Sequence, residues 1–164
     1  MPDLNIIPGD LLVQGRVVPA SITMPSGSVS NDSVVSAAGV SASKLEHQHQ
    51  ITTWLAPHGT AAAATRYVMH VAVGAGTRTS FGAGATVAPT GADNVVVRLL
   101  KNGAAILSAS ITLDNANTNF VIEAGTISSA AYVAGDVFEA EIVSVSGTTA
   151  KGVFARLNTR EAAQ

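Results

Sequence analysis

The chain has 164 residues, room for one ordinary domain and an appendage but not for two independent cores. It is 47% hydrophobic, 12% charged and 4% aromatic, so the core must come from Ala, Val, Ile and Leu and the surface from Ser, Thr and Gly. A net charge of -2 with scattered basic residues argues against nucleic-acid or anionic-membrane partners, and the lack of cysteine excludes a disulfide framework or thiol nucleophile.

The opening Met1-Pro2-Asp3-Leu4-Asn5 shows no basic stretch leading into an apolar run. Nothing in the sequence approaches the roughly 20 apolar residues that cross a bilayer, so the expectation is a soluble, unprocessed product. Asn31-Asp32-Ser33 matches a glycosylation sequon without a secretion signal to give it meaning.

Residues 1–45 carry short apolar bursts, Ile6-Ile7, Leu11-Leu12-Val13, Val17-Val18 and Val34-Val35, cut by Pro8, Gly9, Gly15, Pro19, Pro25 and Gly27. Prolines at these intervals forbid a continuous helix and interrupt any ladder. The segment reads as an extended N-terminal arm with a hairpin around Gln14-Gly15, followed by a connector with a short helix within 33–45. Such bursts are too short to bury themselves, so Leu11, Leu12, Val13, Val17, Val18 and Ile22 are candidates for gripping a partner.

From residue 46 to 164 the apolar period becomes two, the pattern of strands with one buried face. Candidate strands fall near 50–56, 66–73, 79–87, 94–101, 105–113, 118–123, 137–145 and 151–158, about eight in all, separated by Gly, Pro, Asn and Asp turns. The second, with Tyr67, Met69, Val71 and Val73 opposite Val68, His70 and Ala72, reads as buried on much of both faces. Asn102-Gly103 after Val95 to Lys101 predicts a tight hairpin. Its return strand puts Leu107, Ala109, Ile111 and Leu113 on one face. Phe120 and Ile122 then share a face, as do Phe138, Ala140 and Ile142, and finally Val153, Ala155 and Leu157. No helical period separates these runs, which excludes βαβ units. The predicted fold is an all-β, antiparallel jelly-roll β-sandwich.

Few residues carry chemistry. His47-Gln48-His49 places two imidazoles on one side of a strand, a spacing that can share a metal, but two ligands are not a site and 50–55 offers no acid. His58 and His70 join them only if the fold brings them together, and a threefold axis would multiply the pair. The alternative reading is hydrogen-bonded histidines near an interface. Ser41-Ala42-Ser43-Lys44 has a Ser-x-x-Lys spacing without its supporting elements. Gly74-Ala75-Gly76 and Gly82-Ala83-Gly84 open no helix and read as loop or bulge glycines rather than phosphate loops. Glu139 and Glu141 are an i, i+2 acid pair, read as the wet side of a strand rather than a glycosidase pair. Trp54, the lone tryptophan, reads as core or interface. Leu45, His47, His49 and Trp54 are the candidate oligomer-interface residues; no catalytic residue and no cofactor is expected.

Ala42-Ser43-Lys44-Leu45-Glu46-His47-Gln48-His49, Val97-Arg98-Leu99-Leu100-Lys101-Asn102-Gly103 and Tyr132-Val133-Ala134-Gly135-Asp136-Val137 together resemble trimeric head decoration, or cement, proteins of tailed bacteriophages. The resemblance spans residues 42–158 loosely. It implies a virion protein on the capsid exterior, made in the host cytoplasm: a homotrimer whose arm binds the major capsid protein and stabilises the head. A second reading is a fibre or receptor-binding jelly roll for host glycans. An enzyme such as a cupin or hydrolase is the third.

Overall fold

The computed structural model describes residues 47–161. The expected arm and connector, with Leu11, Leu12, Val13, Val17, Val18, Ile22 and Leu45, lie outside the described residues. Ten strands are present: β1 (His47–Trp54), β2 (Thr65–Val71), β3 (Gly76–Val87), β4 (Asn94–Lys101), β5 (Ala104–Ala105), β6 (Ile111–Leu113), β7 (Ile122–Gly125), β8 (Ala131–Tyr132), β9 (Val137–Ser146) and β10 (Lys151–Glu161). The described residues contain no helix.

They form two antiparallel five-stranded sheets packed together. The first runs β1-β10-β3-β7, with β8 pairing the same strand β3. The second runs β2-β9-β4-β5, with β6 also on β4. The coarse expectation of an all-β, two-sheet protein therefore stands. The core fills the space between the sheets with the alternate residues that the sequence pattern singled out, Val95, Val97 and Leu99, Phe138, Ala140 and Ile142, and Val153, Ala155 and Leu157, together with Phe81, Ala83 and Ala85, which it did not. Alternation works here because successive side chains of a strand point to opposite faces, so one register places the whole apolar set inside.

The Asn102-Gly103 hairpin is present. Both residues have positive φ, 50° and 83°, and Lys101 pairs with Ala104 across the turn. This two-residue geometry twists with the flanking strands, which is why Asn-Gly supports it.

Several boundaries differ from expectation for physical reasons. The return strand 105–113 is broken into β5 and β6. Between them the Ser108 amide donates to Thr126 and Leu107 forms a bridge with Ile127, so the chain leaves the edge of β4 to meet another loop. Ile111 and Leu113 are buried as expected, but Ala109 is exposed. Phe120 does not share a buried face with Ile122: its φ is 63°, its amide donates to Ala85, and it is 65% exposed. The strand β2 is not buried on both faces. Among the described residues it is an edge strand paired only with β9, carries a bulge at Met69, and leaves Val68 and Val71 more than half exposed. Gly82 and Gly84 are not loop or bulge glycines but lie within β3, paired on both sides. At Gly84 a Cβ atom would stand 2.8 Å from the Phe154 ring and 2.6 Å from the Val121 carbonyl, so only glycine lets these neighbours approach.

Candidate functional site

The inward face of β10 reads Val153, Ala155, Leu157, Thr159, Glu161, and all five side chains are buried. Its first three residues are apolar and its last two are polar. Around the polar end the other strands contribute residues of matching chemistry. His47 and His49 on β1 stand opposite Glu161 and Thr159 in register. His70 comes from β2, Arg78 from β3 and Tyr132 from β8.

Glu161 is 4% exposed, and its carboxylate sits between two imidazoles. His49 Nε2 lies 3.7 Å from Oε2 and His70 Nε2 lies 3.6 Å from Oε1. The Val73 amide donates to Oε1 at 3.3 Å. Both histidine Nε2 atoms are buried without a hydrogen-bond partner. The two sheets thus meet at this carboxylate, since β1 and β10 belong to one and β2 to the other.

The rings are held by stacking. His47 lies 6.4 Å from His49 at 15°, and His49 lies 5.8 Å from His70. His70 stacks on Phe138 at 6.1 Å and 7°, while Tyr132 meets Phe138 edge-on at 5.3 Å. The guanidinium of Arg78 sits 5.1 Å from the centre of the Phe138 ring. Its Nη2 donates to the carbonyls of Ser129 and Ala131, the latter at 2.8 Å. Burial lowers the Arg78 pKa and pushes the Tyr132 hydroxyl up, because each charged form loses hydration inside the protein. Beside the cluster opens a cleft of about 540 Å³ lined by Gln48, His49, Gln50, Thr79, Asn158, Thr159 and Arg160.

The other singled-out residues lie elsewhere. His58 sits beside Trp54, ring centres 6.4 Å apart, beyond the opposite end of β1 from His47. Of the two further histidines, then, the fold brings in His70 and leaves out His58. Trp54 is 48% exposed and edge-on to Phe154 at 5.6 Å, so it lies on the surface rather than in the core. Glu139 is bound by Arg66, with Nε to Oε1 at 2.9 Å, and Glu141 by Arg98 at 2.5 Å. The Arg66 hydrogen bond holds the Glu139 carboxyl below its ordinary value. Each acid is engaged by a cation on the outer face, as the wet-side reading expects. Ser41 and Lys44 lie outside the described residues.

Sequence reasoning missed Glu161, Thr159, Arg78 and Tyr132. The signal for the first two was the period of β10, which continues past residue 158, where the expected strand stopped. Among the described residues no group of three or more His, Asp or Glu could hold a metal ion. No family model matches the chain, and comparison with curated proteins and with solved structures yields no match.

Proposed function

We propose that the chain is a non-enzymatic structural protein that attaches through residues 1–45 to a larger protein assembly, and that its two sheets are wound as a jelly roll. Following the family resemblance, the assembly is a phage head, the partner is the major capsid protein, and the attached form is a homotrimer on the capsid exterior.

The observation that supports this reading is the character of strand β1. It pairs with β10 through eight consecutive residues without a shift, and among the described residues its other edge is the border of the sheet. It contains no Pro, Lys, Arg, Asp or Glu, the residues with which solvent-facing edges are commonly guarded. An edge of this kind accepts a strand from a neighbour, main-chain hydrogen bonds giving affinity and alternate side chains giving register. The contrast is β2, an edge interrupted by a bulge and carrying Arg66. The strand β1 also follows directly on the segment with the unhoused apolar bursts.

The half-exposed Trp54, backed by Phe154 and His58, favours a second reading, a fibre-tip module whose aromatic platform stacks on host glycans. Removing residues 1–40 separates the two. The first reading expects the truncated chain to keep its β-type circular dichroism and oligomeric state but to lose binding to undecorated heads. Full decoration by the truncated protein refutes it, and retention on a glycan array that Trp54→Ala abolishes would put the second in its place.

A further inference from the structure

We propose that the outer face of the first sheet binds an acidic oligosaccharide, with Trp54 and Phe154 as its apolar end and Asn158 and Arg160 as its polar end. The inference rests on the second reading above, a glycan platform at Trp54, and adds the remainder of the site and the class of sugar.

The register of β1 and β10 carries the proposal. The outward residues of β1 are Gln48, Gln50, Thr52 and Trp54, all exposed. Across the ladder they stand opposite Arg160, Asn158, Arg156 and Phe154 of β10. At about 3.3 Å per residue these rows extend for about 20 Å, long enough for several pyranose rings in line. At one end Trp54, edge-on to Phe154, offers an apolar surface on which a sugar ring can stack. At the other is the cleft of about 540 Å³, whose lining includes Gln48, Gln50, Asn158 and Arg160. Asn158 is fixed there, since its Nδ2 donates to Ser80 Oγ at 2.8 Å, and its Oδ1 has no hydrogen-bond partner. Carboxamides both donate and accept, which is what the neighbouring hydroxyls of a sugar require.

Charge sets the class. The only acidic residue in β1, β3 and β10 is Glu161, and it is buried on the inner side. Arg156 and Arg160 therefore share an outward face to which these strands bring no carboxylate, in a chain whose net charge is -2. The second sheet is arranged otherwise: Arg66 is paired with Glu139 and Arg98 with Glu141. Arg156 has no such acid across its ladders, where its neighbours are Thr52 and Gly82. A guanidinium binds a carboxylate through two parallel N–H···O bonds, so sugars that carry carboxylates complete this face and neutral ones do not.

Trp54 is the sole tryptophan, so its fluorescence reports binding on the full, unlabelled chain. The acidic probes are oligomers of galacturonate, alginate fragments and sialylated glycans; the neutral ones are maltodextrins and cellulose oligomers. The tightest acidic probe should bind at least about tenfold more tightly than the tightest neutral one, and the difference should shrink at high salt. Arg156→Gln and Arg160→Gln should each weaken acidic-sugar binding about tenfold, whereas Arg66→Gln, the same change on the second sheet, should leave it unaltered. Without any replacement, the side-chain amide resonances of Gln50 and Asn158 should shift on saturation. Equal affinity for acidic and neutral sugars overturns the proposal. If Trp54→Ala abolishes binding but both arginine variants bind as the wild type does, this inference fails and the platform reading survives. If no probe binds, both fail.

Discussion

The inward face of β10 holds two regions that obey different rules. Around Val153, Ala155 and Leu157 the space between the sheets is filled by aliphatic groups, Phe81 and Ile142, all at most 1% exposed. Stability there comes from apolar area removed from water and from close packing, both non-directional. Around Thr159 and Glu161 the same layer holds histidines, Arg78 and Tyr132, whose burial is costly unless each polar atom finds a partner. The strand geometry does not change between them. A fold can therefore maintain a polar chamber at low cost to itself only where a long apolar stretch of the same strands holds the sheets together, and that is how β10 is composed.

Truncating the apolar region should have the largest effect. Phe138 is the seam, packed with Ala140 and Ile142 on one side and with His70, Tyr132 and Arg78 on the other. Phe138→Ala should cost about 3–5 kcal/mol in urea unfolding, and Leu157→Ala, well inside the apolar region, about 2–5 kcal/mol. The contrasting experiment replaces polar groups by apolar ones. If the polar end does not serve stability, His70→Leu combined with Glu161→Leu should leave the protein as stable as before or raise it by about 1–4 kcal/mol, as happens when buried ion pairs yield to packed side chains. A clear loss of stability would show that the carboxylate and imidazole are structural and would collapse the distinction. A smaller effect belongs to the β4–β5 turn, outside both regions: Gly103 has φ 83°, so Gly103→Ala should cost about 1 kcal/mol, measurable as a lower urea midpoint with an unchanged slope.

The two regions also differ in how legible they are in the sequence. The apolar one is written in the period of two: Val95, Val97 and Leu99, or Phe138, Ala140 and Ile142, reveal strand and face together because a one-residue slip would expose them all. The polar end is not written in any local pattern. Glu161 belongs to the inner face only by continuing an alternation whose apolar members end at Leu157, and its partners come from residues 49 and 70, more than 90 positions earlier. The pair His47 and His49 was visible as a spacing. That His70 completes the set and His58 does not is a consequence of which edge strands lie side by side, which sheet order decides. The mistaken placement of Phe120 has a related origin, since a positive φ at an aromatic residue has no sequence signature.

The smallest expected effect concerns the loop that seats the polar end. Asp136 is held below its ordinary carboxyl value of 3.8, chiefly by the Val133 amide and then by the Asn102 side chain, with Lys101 contributing. The bonds measure 3.0 Å from Val133 and 2.6 Å from Asn102, and Lys101 Nζ stands 3.3 Å away. They tie the β8–β9 turn to the β4–β5 hairpin. Because the folded state favours the carboxylate more than the unfolded state does, the unfolded chain takes up protons more readily as pH falls. The contribution of Asp136 is therefore complete above 3.8 and is lost as pH drops through the lower folded value. Urea unfolding of wild type and Asp136→Asn in steps from neutral to strongly acidic solution should show a stability gap that is constant at neutral pH and narrows below pH 4. A gap of the same size at every pH would mean that the asparagine merely disturbs the turn, and that the charge of Asp136 does not hold it.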